Sequence, residues 1–315
     1  MANLLNRLKD LVNKDFKNNK KAFRSGFVAI IGAPNTGKST LLNRILGEKI
    51  AITSKKPQTT RNRILGVLHR PSSQIIFIDT PGVHKARQLL NVRIVETALE
   101  TLGDVDAILV LLDVAKPDPS AEGYVIGKLA ERKRPVILGL NKIDLIEKYE
   151  LLKIIDRWSQ VYPFKAIVPI SAKHGTQVET LIEAMEALLS EGPPFYPPDA
   201  ITDMPERFIA AEMIREKVFR LTGQEIPYAT AVTVDEYSEQ KDGQLVKIYA
   251  TIHLERSSQK GIIIGKNGVK LKQIGQAARQ EIERMVGVQV FLKLFVRVQK
   301  NWSKDTKALR KFGYQ

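Results

Sequence analysis

One eight-residue stretch constrains this chain more than any other: Gly32-Ala-Pro-Asn-Thr-Gly37-Lys38-Ser39. It follows an apolar run, 27–31, and opens a helical pattern near 37–47. Glycines in such a strand–loop–helix unit let backbone N–H groups wrap a phosphate, and the helix N-terminus adds the positive end of its dipole. Lys38 is placed to reach the β- and γ-phosphates, and the Ser39 hydroxyl to ligate Mg²⁺. Asn35, Thr36, Gly37 and Thr40 complete the predicted cradle. A glycine-rich turn without function is the bland alternative, and the flanking strand and helix argue against it.

A loop of this kind fixes its surroundings. Further apolar runs at 63–68, 75–78, 107–112, 136–140 and 167–170 alternate with helical patterns near 89–102, 119–132, 148–160 and 176–190. Continuous rather than alternating apolar strands predict a mostly parallel sheet covered on both faces, an α/β domain over 25–190. Residues 191–205 hold five prolines and one glycine, which reads as a linker because proline removes backbone donors. Beyond it the rhythm changes to a smaller α+β domain, 206–315. A helix at 206–221 precedes β-rich runs at 228–237 and 245–254, with Asp242-Gly243 as a hairpin signal between them. A helical stretch broken at GKNG (260–286), a strand at 288–298 and a short terminal helix complete it. A chain of 315 residues is long enough for both domains.

The phosphate loop leaves the base unspecified. Asn141-Lys142-Ile-Asp144 ends the run at 136–140, where open α/β sheets bind ligands. A carboxylate there can accept from N1–H and the exocyclic amine of guanine, a donor pair adenine lacks. Ser171-Ala172-Lys173, ending the next strand, is placed to give a backbone N–H to guanine O6. Asp79-Thr80-Pro81-Gly82 ends the run at 75–78. Its carboxylate suits Mg²⁺ through water, and the Gly82 N–H suits a γ-phosphate. Thr59 and Thr60 offer a second Mg²⁺-ligating hydroxyl, Thr60 being preferred. NKxD or DTPG alone is an ordinary surface turn; four motifs in order on successive strand ends predict a GTPase using GTP/GDP and Mg²⁺.

Composition separates the ends from the middle. The net charge is +15, yet residues 1–24 carry +5 and residues 256–315 carry +11. So basic a C-terminal block suits a polyanionic partner, although a solvated surface would also account for it. Within it, Gly265-Lys266-Asn267-Gly268 is a GxxG loop between helical segments, flanked by Lys270 and Lys272. The order α-β-β-α-α-β matches a type II KH domain, which clamps about four nucleotides of single-stranded RNA. Ile262, Ile263 and Ile264 are the expected apolar wall of the groove, with core packing as the competing explanation. Arg279 and Arg284 read as a solvated helix face. The chain contains no cysteine, which excludes disulfides and thiolate metal sites and suits a reducing cytoplasm. No apolar run approaches membrane-spanning length.

PNTGKSTLLNRILG, KPQTTR, DTPGVH, NKID and SAK, followed by the basic domain, resemble the bacterial Era GTPases over roughly residues 25–305. The resemblance implies a cytoplasmic GTPase, expected as a monomer, that binds small-subunit ribosomal RNA and assists maturation of the small ribosomal subunit. Two positions depart from simpler expectations. Val83 stands where Ras-like enzymes keep a water-orienting glutamine, so hydrolysis should be slow or use another group. Asn35 is a candidate substitute, since related GTPases with Asn there hold K⁺ in place of an arginine finger; a loop-stabilising role is the alternative. Leu4, Leu5, Leu8, Leu11 and Val12 share a helical face within residues 1–24. That face could rest on an anionic surface, such as the inner face of the cell membrane, but an unstructured extension is the preferred reading. The nucleotide state is expected to set the relation of the two domains through loops near 53–62 and 81–92. Two rivals follow: an ATP-using enzyme, which Asp144 opposes, and an RNA-binding protein with a nucleotide-locked domain, which Val83 permits.

Overall fold

The computed structural model describes residues 22–54, 63–82, 105–130, 133–222, 230–240 and 243–312. The N-terminal extension, Thr59 and Thr60, Val83, the predicted helix near 89–102 and Asp242 lie outside these. Strands β1 (Arg24–Ile31), β2 (Ile64–Arg70), β3 (Ser73–Asp79), β4 (Ala107–Asp113), β5 (Val136–Asn141) and β6 (Ala166–Ile170) form one sheet in the order β2-β3-β1-β4-β5-β6. All neighbours are parallel except β2 with β3. Every residue of β3, β4 and β5 is buried. Side chains alternate between two cores: Val28 and Ile30 of β1 join Leu41, Phe77 and Leu109, while Ala29 and Ile31 join Val110, Val125, Leu138 and Trp158. Helices α1 (Lys38–Leu46), α2 (Pro119–Ala130) and α3 (Lys148–Val161) lie between strands, and α4 (Val178–Glu186) follows β6. Burial on both faces explains why the strands read as unbroken apolar runs.

Parallel register aligns the strand ends that carry the motifs: Ile30 lies beside Asp79, Asp113 beside Asn141, and Asn141 beside Ile170. Chain order reverses at β1, flanked by β3 and β4, so a crevice opens above its C-terminal end.

The proline-rich segment differs from a free spacer. The Ser25 hydroxyl donates to the Pro193 carbonyl (2.6 Å), and Gln74 Oε1 accepts from the amides of Phe195 (2.7 Å) and Tyr196 (3.0 Å). The Val67 amide then donates to the Ile201 carbonyl (2.7 Å), and the Thr202 hydroxyl to that of Leu65 (2.5 Å). The segment therefore straps the open edge of β2, satisfying backbone groups that an edge strand leaves bare. Proline runs mark chain that cannot be helix; they do not reveal that it is tied down.

The second domain packs α5 (Glu206–Leu221), α6 (Ser257–Ile264) and α7 (Val269–Val286) on one face of a sheet of β7 (Thr230–Glu239), β8 (Leu245–Leu254) and β9 (Gln289–Val298). β7 and β8 are antiparallel, β8 and β9 parallel. Ile209, Met213, Ile214 and Val218 of α5 meet Ile248, Ala250 and Ile252 of β8 and Ile274, Ala278 and Ile282 of α7. A short C-terminal helix, α8 (Thr306–Lys311), is capped by the Asp305 carboxylate, which accepts from the amides of Lys307 and Ala308.

Candidate functional site

A cleft of about 900 Å³ opens at the C-terminal ends of β1, β3, β4 and β5. Asn35, Gly37, Lys38, Ser39, Thr40, Gly82, Asn141, Lys142, Asp144, Ala172 and Lys173 line it, so the expected motifs share one space. Its volume lies in the range of small-molecule sites.

The phosphate loop is braced from within. Lys38 is buried, and its ammonium donates to the carbonyls of Gly32 (3.0 Å) and Ala33 (2.9 Å). Burial lowers its pKa to about 8, although the Asp79 carboxylate pulls the other way. The buried Thr36 hydroxyl donates to the Ala33 carbonyl (3.0 Å) and closes the loop. Gly37 has φ of 101°, and a Cβ there would lie 2.3 Å from Asn141 Nδ2, so side chains are excluded on both counts. The Ser39 hydroxyl donates to Asp79 Oδ2 (2.6 Å). A hydroxyl and a carboxylate converging beneath a phosphate loop fit Mg²⁺, which takes few protein ligands and fills its shell with water and phosphate oxygens. Among the described residues no cluster of three or more His, Cys, Asp or Glu could hold a metal alone.

The base-side motif is bonded to that loop. Asn141 Nδ2 donates to the Thr36 carbonyl (2.7 Å), and the Lys142 ammonium to the Asn35 carbonyl (2.9 Å) and to Asp113. Asn141 Oδ1 accepts from the Ala172 amide (2.9 Å), which ties the Ser171-Ala172-Lys173 segment to the Asn141 motif. Asp144 accepts from the Ser171 hydroxyl (2.6 Å). That bond outweighs partial burial and holds the Asp144 carboxyl below the usual carboxylate range, so its oxygens remain acceptors. His174 stands 3.6 Å away and also favours the ionised form.

Sequence reasoning missed four contributors. Asp113 ends β4 and anchors Lys142; its place at a strand end was visible, its partner was not. Arg44 of α1 donates to the carbonyls of Ala172 (3.3 Å) and Lys173 (2.5 Å), holding the last motif in place. Phe219 and Arg220 come from α5 of the second domain yet line the cleft. Arg220 donates to the Thr53 carbonyl (3.2 Å) and hydroxyl (3.1 Å), at the root of the loop expected to switch. Beside it, Lys49 pairs with Glu216 (2.5 Å) and with Glu281, Lys217 with Glu281, and Arg220 with Glu216 (2.5 Å). Burial alone would raise the Glu281 carboxyl, but its bonds from Lys217 and Lys49 prevail and lower it. No local pattern in either domain foretells this joint.

In the second domain, Lys266–Gly268 forms one tight turn between α6 and α7. Gly265 has φ of 70°, and a Cβ there would meet Lys270 Cβ at 2.7 Å. Lys266, Asn267 and Lys272 are exposed and Lys270 half-buried. Ile262 is 52% exposed and Ile264 half-buried, but Ile263 is wholly buried against the core of Ile274, Ala278 and Ile282. That corrects the expectation for Ile263: it supports the groove from beneath and cannot line it. Val269, 55% exposed at the start of α7, is a further exposed apolar side chain beside the turn.

Comparison with known proteins agrees with this anatomy. Residues 27–142 match a family model described as a 50S ribosome-binding GTPase, and 225–303 match the KH domain. GTPase Era of Geobacter metallireducens is 57% identical over 292 residues, covering 93% of this chain and 98% of that protein. GTPase Era of Geotalea uraniireducens is 54% identical, covering 94% and 99%. Two solved Era structures superpose with TM-score 0.89 at 40% identity, covering 93% of this chain and 99% of theirs. One holds MgGDPNP and nucleotides 1506–1542 of 16S ribosomal RNA; the other, a single-substitution variant from Aquifex aeolicus, is bound to GDP·AlF₄⁻. With identity of this level across nearly the whole length of both chains, this protein belongs to the Era family of GTPases.

Proposed function

We propose that the chain binds GTP and GDP with Mg²⁺, hydrolyses GTP, and binds 16S ribosomal RNA through its second domain, assisting maturation of the small ribosomal subunit. The observation that carries the nucleotide reading is the single cleft in which a Ser171-held Asp144 carboxylate faces a phosphate loop built on Lys38. Lys38 is assigned to the β- and γ-phosphates, exchanging its carbonyl partners for phosphate oxygens. Ser39 and Asp79 would hold Mg²⁺, with Thr60 the preferred further ligand; the ion, when bound, neutralises charge gathering on the phosphates. Asp144 is assigned to guanine N1–H and the amine, while Asn141, Lys142, Ser171 and Ala172 keep base loop and phosphate loop at fixed separation. Val83 rather than a glutamine follows Gly82, so intrinsic hydrolysis is slow or uses another group, with Asn35 the candidate.

The RNA reading is supported by the exposed Lys266-Asn267 turn in a matched KH domain and by the relative crystallised with 16S RNA. Lys266, Asn267, Lys270 and Lys272 are assigned to the RNA backbone, Ile262 to its bases. We infer a monomer acting in the cytoplasm, a location the cysteine-free, basic composition supports. Among the described residues no helix is long and apolar enough to cross a membrane.

Competition of GTP, GDP and ATP against a fluorescent guanine nucleotide tests the base reading, and single-turnover phosphate release tests hydrolysis. GTP and GDP should compete and ATP should not; equal competition by ATP overturns the Asp144 assignment. Lys38→Ala should abolish tight binding. Crosslinking in cells should recover 16S RNA around nucleotides 1506–1542, and recovery of an unrelated RNA instead overturns the partner.

A further inference from the structure

The sheet of the second domain has two faces, and the helices cover one. On the other, Lys247, Tyr249 and Thr251 of β8 stand beside Phe291, Lys293 and Phe295 of β9, as their parallel register pairs them. One end of this face is roofed by the C-terminal segment, where Trp302, Ala308, Leu309 and Phe312 cluster with Ala231. The Phe312 ring lies 4.4 Å from that of His253. The roof stops there, and Phe291 and Phe295 remain 46% and 44% exposed.

These rings form a group. Tyr249 lies 6.0 Å from Phe291 and 6.5 Å from Phe295, its plane within 17° of the latter, and the Lys293 ammonium sits 5.4 Å from the Phe295 centroid. Exposed cations follow along the chain: Lys293 and Arg297 on β9, then Lys300, Lys304, Lys307 and Arg310 in the segment beyond it. The acidic side chains of the face sit on β7. Asp235 accepts from the hydroxyls of Thr233 and Thr251, and Glu236 from that of Ser238. A purely apolar partner would leave the cations unanswered, and a simple anion would leave the rings bare. Single-stranded RNA answers both, with bases for the rings and phosphates for the cations.

We propose that this half-sheet is a second RNA platform, taking the bases next to those held at the Gly265–Gly268 turn. It rests on the reading of that turn as an RNA site. Continuity supports it, because β9 belongs to both surfaces. Leu292 and Leu294 face the helices that form the groove, and Phe291, Lys293 and Phe295 face the platform. A KH groove clamps about four nucleotides, so a longer strand extends beyond it, and this face adjoins the groove through β9.

The test uses the full chain, fluorescein-labelled 16S nucleotides 1506–1542, and nested truncations down to about four nucleotides. Phe291→Ser with Phe295→Ser should weaken the long RNA about fivefold or more. The shortest binding truncation should be unaffected, and Phe291→Tyr with Phe295→Tyr should behave as wild type. Ultraviolet crosslinking of wild-type protein to the long RNA, read by peptide mapping, should place adducts on Tyr249, Phe291 or Phe295. Adducts confined to residues 262–272, or a serine variant that binds long RNA like wild type, overturn the platform; the latter result would leave the face to a protein partner. A wild-type chain that binds no RNA of any length refutes the reading of the domain itself.

Discussion

Raising the pH should loosen the grip on nucleotide before it harms the protein, and Lys38 is the reason. Its ammonium is buried with two carbonyls for company, which brings its pKa to about 8. A bound polyphosphate stabilises the charged form and lifts that pKa well above 8. Binding therefore takes up a proton whenever the free lysine is neutral. About nine-tenths of the free protein carries the charge at pH 7 and about one quarter at pH 8.5. Affinity should thus fall about fourfold across that interval at fixed Mg²⁺, with about half a proton taken up per nucleotide at pH 8. Titration with a fluorescent guanine nucleotide gives the first quantity; calorimetry in buffers of different ionisation enthalpy gives the second. Stability of the nucleotide-free protein moves the opposite way. The folded pKa lies below the unfolded one, so the unfolded chain binds more protons between about pH 8 and 10.5, and Lys38's contribution to stability rises through that window. Flat affinity with no proton uptake from pH 7 to 8.5 would refute the buried, carbonyl-held ammonium.

Further outcomes are expected at other positions. Asp144→Asn should weaken GTP by about a hundredfold or more, since two bonds to a charged acceptor are lost, and should gain xanthosine nucleotide, whose C2 oxygen suits an amide donor; both show in competition titrations. Gly37→Ala should abolish binding without unfolding the chain, because the added methyl strikes Asn141; wild-type affinity would mean that the loop yields. If Asn35 ligates a cation, K⁺ should accelerate single-turnover hydrolysis relative to Na⁺ and Asn35→Ala should erase the difference, whereas equal rates in both salts leave Asn35 a loop residue. Lys266→Asp with Asn267→Asp should keep nucleotide binding intact while removing short RNA at every salt concentration, and a loss that vanishes at low salt would reduce the turn to general charge.

What is legible in the sequence follows from the range of the forces involved. The strands announce themselves because β3, β4 and β5 are buried on both faces, and the motifs because phosphate and guanine demand particular residues at strand ends. Ile263 misleads because an apolar residue beside a glycine loop reads alike whether it points out or in; only packing against Ile274 and Ala278 decides. The strap at Phe195 to Thr202 is invisible locally, since its bonds reach β2 and β3, more than a hundred residues back. Phe219 and Arg220 are hidden for the same reason, their local context being an ordinary helix end.

That helix end has a consequence for how the two activities can be separated. Part of the wall of the nucleotide cleft belongs to the domain assigned to RNA, held by Lys49, Glu216, Glu281 and the Arg220–Thr53 contact. Free energies around a closed cycle must balance, so whatever work RNA does in shifting this wall reappears as an equal change in nucleotide affinity, and the coupling runs both ways. A guanine-nucleotide titration on a fragment ending near residue 190 measures a vessel with one side missing. If RNA shifts that wall, nucleotide affinity changes by a factor that reappears, equal in size, in the affinity for RNA.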